Sequence, residues 1–183
     1  MYQVLLYYCY TPLADPGQFR DEHHRLCLDL DLRGRIIVAA EGLNGTVSGT
    51  REACAAYRTA VKADPRFAPL EFKIDEVEGH TFQKLHVRLK DEIVHSSLRH
   101  TRPHERTGQH LSPAEFKALK DRDDVVVVDV RSDYEYNLGR FKNAVTLDIE
   151  NFRDFPERVE RLREFEGKKI LTYCTGGVKC EKA

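Results

Sequence analysis

The chain is 183 residues long, 41% hydrophobic and 32% charged, with a formal net charge of −1. That balance builds a packed core and excludes a disordered chain. The near-zero charge excludes a global electrostatic footprint for nucleic acid, so any RNA binding must rest on a local patch. Five cysteines (Cys9, Cys27, Cys54, Cys174 and Cys180) are odd in number and scattered, unlike a disulfide scaffold. The apolar start, Met1 to Tyr10, is too short and too tyrosine-rich for a signal peptide, and no run approaches the length of a membrane span. These features point to a reducing, cytoplasmic compartment and to no membrane partner. The length allows one large domain or two small ones.

The first half alternates strand and helix signals. Tyr2–Tyr10 reads as a strand from its Val, Leu and Tyr content, and Asp15–Leu32 as a helix, with Phe19, His23, Leu26 and Leu30 near a 3.6-residue period. Arg35–Ala40 is a buried-type strand, and Gly45–Ser48 its short partner across a glycine turn in which Gly42 and Gly45 take positive φ. Arg51–Ala63 is an amphipathic helix stopped by Asp64-Pro65, and Glu71–Glu76 and Lys84–Lys90 are closing strands. The order β-α-β-β-α-β with one added strand predicts a ferredoxin-like α+β sandwich over residues 1–94. In the first strand, Tyr7, Tyr8 and Tyr10 alternate faces, one face core and the other free to stack on a base.

Over residues 95–111 the pattern lapses into a basic connector carrying Arg99, His100, Arg102, His104, Arg106 and His110. His100 and His104 have the spacing of a metal pair on a helix, but Pro103 argues for a solvated strip instead, and such a strip can also touch phosphates. A second unit opens at Ser112-Pro113-Ala114-Glu115, a capping box that starts a helix to about Lys120. Val125–Val130 is an uninterrupted apolar run of the kind found in parallel sheets. A short strand, Ala144–Leu147, a polar helix near Pro156–Phe165 and the strand Lys169–Tyr173 follow, which predicts a parallel α/β domain with its site at the strand carboxyl ends.

The strand Lys169–Tyr173 delivers Cys174 into the loop Thr175-Gly176-Gly177-Val178-Lys179, followed by Cys180. Two glycines let successive amides turn toward one sulfur, and such amides stabilise a thiolate or a persulfide anion. Cys174 is therefore the candidate nucleophile, with residues 175–179 as its anion cradle and Lys179 as a source of positive charge. Cys180 either resolves an oxidised Cys174 as a disulfide or packs beneath the loop. Phosphatase chemistry is set aside, because Cys180 occupies the position where that loop needs an arginine. Asp129 follows a buried strand. Arg131 and Glu135 either form an ion pair that braces the loop or touch substrate. Glu41, Asn44 and Thr46 crowd a glycine-rich turn, as turn chemistry or as substrate-facing groups. No set of side chains suits a metal, and no dinucleotide fingerprint is present.

Asp129-Val130-Arg131-Ser132-Asp133-Tyr134-Glu135-Tyr136 and the run Gly139-Arg140-Phe141-Lys142-Asn143-Ala144 resemble the rhodanese signature. Cys174 to Lys179 matches the rhodanese active-site loop except at Lys179, where arginine is usual. Ala40-Glu41-Gly42-Leu43-Asn44-Gly45-Thr46-Val47-Ser48-Gly49, Asn151-Phe152-Arg153-Asp154-Phe155-Pro156 and the ending Cys174 to Ala183 resemble the bacterial tRNA wobble-uridine hydroxylases. The resemblance covers essentially the whole chain. It implies an α/β protein, a ferredoxin-like (acylphosphatase-like) domain followed by a rhodanese-like domain over 112–183 that is incomplete at its C-terminus. It also implies an enzyme that forms 5-hydroxyuridine in the tRNA anticodon loop, with molecular oxygen as co-substrate, no cofactor identified and Cys174 essential. A sulfurtransferase using a Cys174 persulfide and a silent tRNA-binding module are the alternatives. Because family members continue further, a fragment with a poorly ordered or unusually exposed loop is expected.

Overall fold

The computed structural model describes residues 1–98 and 100–183; Arg99, part of the basic connector, lies outside the described residues. The chain forms two compact units, Met1–Ile93 and Val94–Ala183.

In the first unit, strand β1 (Tyr2–Tyr10) is followed by helix α1 (Pro16–Asp29), strands β2 (Arg33–Ala39) and β3 (Gly42–Thr50), helix α2 (Arg51–Ala63) and strands β4 (Lys73–Val77) and β5 (Leu85–Leu89). The sheet order is β4-β1-β3-β2-β5, antiparallel except for the β2–β5 pair. This is the ferredoxin-like arrangement with β5 added at one edge. Side chains alternate across the sheet, so Leu5, Tyr7, Ile36, Val38, Leu43 and Val47 enter one core with Cys27, Cys54 and Tyr57 from the helices. Tyr7 is core, while Tyr8 and Tyr10 lie half-buried on the opposite face.

The local chemistry explains where the elements begin and end. Asp15 caps α1 by accepting from the Gln18 amide at 2.8 Å, and Thr50 caps α2 by accepting from the Ala53 amide at 3.2 Å. The helix α1 stops earlier than its periodicity suggests. Asp31 takes φ +48°, and the Leu32 amide reaches back to the Cys27 carbonyl at 2.9 Å, which closes the helix end. Gly42 has φ +141°, as the turn requires. Gly45 does not take positive φ; it lies within β3, where a Cβ would come within 2.5 Å of the Tyr7 hydroxyl. Its glycine is therefore demanded by packing and not by a turn.

In the second unit, helix α3 (Pro113–Leu119) carries the capping box: the Glu115 amide donates to Ser112 Oγ at 3.3 Å, and the Ser112 amide donates to Glu115 Oε2 at 2.7 Å. Strand β6 (Val125–Asp129), the short helix α4 (Asp133–Asn137), strand β7 (Val145–Thr146), helix α5 (Phe155–Arg158) and strand β8 (Lys169–Tyr173) follow. The sheet order is β7-β6-β8, wholly parallel. Every residue of β6 is buried, as a central parallel strand covered on both faces must be. The polar helix expected over 156–165 is only a four-residue α-helix that runs on as a 3-10 helix, Val159–Phe165. Val159, Leu162 and Phe165 recur every three residues, which places all of them on one face of a 3-10 helix against the core.

Residues 95–111 are not a free connector. Leu98 packs on the cluster around Val128, Leu147 and Phe152, and Leu111 on that around Val125 and Leu171. Thr107 hydrogen-bonds to Glu181, and His110 Nε2 lies 2.8 Å from Glu181 Oε1. The basic residues read from the sequence are thus interleaved with apolar anchors that fix the segment to the second unit.

Candidate active site

Parallel strands bring their carboxyl ends to one edge of the sheet, and β6 and β8 end in register, Asp129 opposite Tyr173. Cys174 is the next residue. The chain then turns through Gly177 at φ +102°, a conformation that L side chains rarely adopt. This returns the Gly177 amide to Cys174 Sγ at 3.0 Å. The Cys180 thiol and the amides of Cys180 and Lys179 act with the Gly177 amide to favour the charged form of this sulfur. Donation by the Cys180 thiol is the strongest of these effects. Together they outweigh the upward push of burial and bring the Cys174 pKa down to about 6. Cys180, as the donor next to a developing thiolate, is pushed far up. Burial also raises Cys9 and Cys54, and takes Cys27 up to about 12. Cys174 is therefore the thiol prepared to ionise near neutral pH.

The loop is closed and half-buried, in contrast to the exposed loop expected from the sequence; among residues 174–180 only Thr175 is fully exposed. Hydrogen bonding from the backbone to the sulfur supplies the closure. Glu135, on α4, braces it from the side. Its carboxylate accepts from Thr175 Oγ1 at 2.6 Å, from Lys179 Nζ at 2.6 Å and from the Ser132 amide at 3.1 Å. Burial opposes the charge on Glu135, but the Lys179 ammonium and these donors overcome it and hold its pKa below the usual range. Lys179 thus spends its charge on Glu135, and what it offers Cys174 is its amide. The charge-supply role expected for its side chain is not what the structure shows.

Nor do Arg131 and Glu135 pair. Arg131 is held by Asp129, with Nη2 at 2.7 Å and Nε at 2.9 Å from the carboxylate, and Asp129 has no exposed side-chain surface. The Arg131 amide also donates to Asp129 at 3.0 Å, and its Nη2 reaches the Gly139 carbonyl at 2.7 Å. Burial raises the Asp129 pKa, and the bidentate guanidinium with the Tyr173 hydroxyl more than reverses it. Tyr173, which the sequence reading passed over, completes this cluster. Its hydroxyl donates to Asp129, its ring lies 5.2 Å from the Arg131 Cζ, and the Phe141 amide donates to it at 3.3 Å. Its strand-end position in register with an acidic strand end was the available signal.

Glu41, Asn44 and Thr46 lie in the first unit. Glu41 Oε1 accepts from the Ile93 amide at 2.8 Å, and Asn44 Nδ2 donates to the Ile93 carbonyl at 2.9 Å, so this pair clamps one main-chain position from both sides. Thr46 remains half-exposed on β3. Among the described residues no cluster of three or more His, Cys, Asp or Glu side chains could hold a metal ion. No helix among them is long and apolar enough to cross a membrane.

Comparison with known proteins agrees with both units. The model of the UPF0176 acylphosphatase-like domain matches residues 2–93, half of the chain. The chain belongs to the UPF0176 family. The rhodanese-like domain model matches residues 112–183, so this UPF0176 member carries its closed thiol loop in a rhodanese-like unit, as the motifs around Asp129 and Cys174 predict. A protein of Cytophaga hutchinsonii named tRNA uridine(34) hydroxylase is 70% identical over 182 residues, covering 100% of this chain and 58% of that protein. Proteins of the same name from Bacillus pumilus and Staphylococcus saprophyticus are each 54% identical over 183 residues, covering 99% of this chain and 57% and 58% of those proteins. The chain thus spans a little under three fifths of the length of these curated relatives.

Proposed function

We propose that this UPF0176 chain carries the thiol site of a cytoplasmic tRNA uridine hydroxylase, which converts the wobble uridine of the anticodon loop to 5-hydroxyuridine with molecular oxygen as co-substrate. The observation that carries the reading is the Cys174 sulfur at the end of β8, accepting from the Gly177 amide at 3.0 Å in a loop braced by Glu135, a setting that lowers its pKa. The shared name of relatives 70% and 54% identical, tRNA uridine(34) hydroxylase, supports the substrate and the class of reaction.

A thiolate is a soft nucleophile, suited to conjugate addition at C6 of a uracil ring. Addition raises electron density at C5, where one oxygen atom enters. Two electrons and two protons from an external dithiol, which becomes its disulfide, take the second oxygen atom to water. Loss of the C5 proton then expels the Cys174 thiolate and restores the ring. Asp129, Arg131, Tyr173 and Glu135 act in this scheme by fixing the loop that aims the sulfur. Thr175, Gly176, Gly177, Val178 and Lys179 form its walls, and Cys180 acts through its hydrogen bond to Cys174.

The test is nucleoside mass analysis of tRNA from cells lacking the gene, complemented with the unaltered gene or with Cys174→Ala. Restoration of 5-hydroxyuridine by the first and not the second is expected. Full hydroxylation with Cys174→Ala would overturn the assignment. Thiosulfate-to-cyanide sulfur transfer without uridine hydroxylation would replace it with sulfurtransferase chemistry.

A further inference from the structure

The first unit has a second concentration of chemistry, on the face of its sheet turned away from the helices. The strand register places Thr46 of β3, Arg35 of β2 and His86 of β5 side by side across that face. The same chain covers the face at either end of this row. On one side the Ile93 backbone is clamped over β3 by Asn44. On the other, Ser48 Oγ lies 3.3 Å from His80 Nδ1 and accepts from the Thr81 amide at 3.2 Å, which pins the β4–β5 loop down. Beside the β4–β5 loop lies a cleft of about 280 Å3 lined by Arg35, Thr81, Phe82, Gln83, Lys84 and His86.

The lining holds two cationic side chains, Arg35 and Lys84, and no acidic one; Arg88 lies outside it, two residues beyond His86 on the same face of β5. Arg35, Lys84, His86 and Arg88 are all exposed. The ion pairs of the first unit among the described residues join Arg20 to Asp21, Arg51 to Glu76, Arg66 to Asp64 and His80 to Asp31, and none engages Arg35, Lys84 or Arg88. In a chain of net charge −1 this is a local excess of uncompensated positive charge. Charged residues on an edge strand also discourage edge-to-edge pairing, which would account for Arg88 on β5 and Lys84 just before it. That role does not reach Arg35, because β2 is an inner strand, flanked by β3 and β5.

We propose that this groove seats the sugar-phosphate backbone of single-stranded RNA, with Arg35 and Arg88 pairing to phosphates, Lys84 adding charge at the rim and Phe82 offering an aromatic wall to a base. The occupant follows from charge complementarity and from the mixture of cations with one aromatic side chain, the combination by which open sheets hold unpaired nucleotides. It deepens the reading that tRNA is the substrate and rests on it. It also places Thr46, the register neighbour of Arg35, beside a binding groove in a unit that lacks the reactive thiol.

The test measures binding of a fluorescent anticodon stem-loop RNA to the 183-residue chain across a salt series. Three proteins are compared: the unaltered chain, Arg35→Gln with Arg88→Gln, and a control with Arg58→Gln and Lys62→Gln on α2. The groove variant is expected to bind about tenfold more weakly, with the slope of log K against log salt smaller by about 1.4, roughly 0.7 for each lost single-strand phosphate contact. The control is expected to match the unaltered chain. Binding by the groove variant within twofold of the unaltered chain, an equal loss in the α2 control, or no RNA binding at all would overturn the proposal. Product formation that needs Cys174 while the groove variant binds normally would sink the groove and leave the hydroxylase reading standing. Loss of binding in the groove variant with product formation independent of Cys174 would do the reverse.

Discussion

Removing the Cys180 thiol tests the electrostatic logic of the site directly. The Cys180 thiol makes the largest contribution to lowering the Cys174 pKa, ahead of the three amides, while burial pushes the other way. With a pKa of about 6, Cys174 is roughly 90% thiolate at pH 7, whereas a thiol at the ordinary value of about 8.5 is roughly 3% thiolate. Cys180→Ala deletes the leading donor and leaves the burial penalty in place, so the Cys174 pKa is expected to rise by at least one unit, toward the ordinary thiol value. The assay is the rate of alkylation of Cys174 by iodoacetamide as a function of pH, read by peptide mass analysis. Cys9, Cys27 and Cys54 do not interfere near neutral pH, since burial raises all three. The unaltered chain should show a midpoint near 6, and Cys180→Ala a midpoint above 7 with several-fold slower alkylation at pH 7. A Cys180→Ala midpoint within half a unit of the unaltered chain would refute the claim that the second cysteine poises the first. A fall in midpoint would show that the proton sits on the other sulfur.

The remaining predictions concern the braces and the first core. Glu135→Gln leaves the Lys179 ammonium without its carboxylate in a site where the two side chains are only 18% and 13% exposed; a loss of about 1–3 kcal/mol in urea unfolding of the second unit is expected, with the Cys174 midpoint shifting less than in Cys180→Ala. Asp129→Asn strips a fully buried carboxylate from Arg131, and a loss of about 3–5 kcal/mol is expected in the same measurement. His23 is 5% exposed, lies 2.7 Å from the Tyr57 hydroxyl through Nε2, and burial lowers its pKa to about 4. Between pH 6.5 and 4 the unfolded chain therefore binds a proton that the folded unit refuses. Stability of the first unit should fall by up to about 3 kcal/mol as pH drops through that window, and His23→Gln should flatten the slope of the urea midpoint against pH.

Much of this arrangement was legible in the sequence because it rests on local rules. Val125–Asp129 and Lys169–Tyr173 declare parallel strands by composition alone, and a cysteine placed between such a strand and two glycines declares an anion cradle. The partners were not legible. Nothing in the spacing of Asp129, Arg131 and Glu135 says that the arginine folds back two residues while the glutamate crosses to Lys179, because that choice depends on α4 turning Glu135 toward the loop after β8. The same holds for Glu41 and Asn44, whose polar turn reads as a site until Ile93 arrives between them from 49 and 52 residues away.

The consequence for function is a division of labour. Among the described residues the charged groups that brace the Cys174 loop are themselves paired: Asp129 with Arg131 and Tyr173, Glu135 with Lys179 and Thr175. A sulfur surrounded by satisfied pairs can be aimed with precision, but it has little spare charge with which to grip a polyanion. Cations without ion pairs lie instead on the first unit, at Arg35 on β2, Arg88 on β5 and Lys84 just before β5. On the proposed reading the reactive anion and the RNA-binding cations belong to different units, so substituting one set leaves the hydrogen bonds of the other intact. Groove substitutions should therefore change KM for the RNA, while Cys180→Ala should act on kcat.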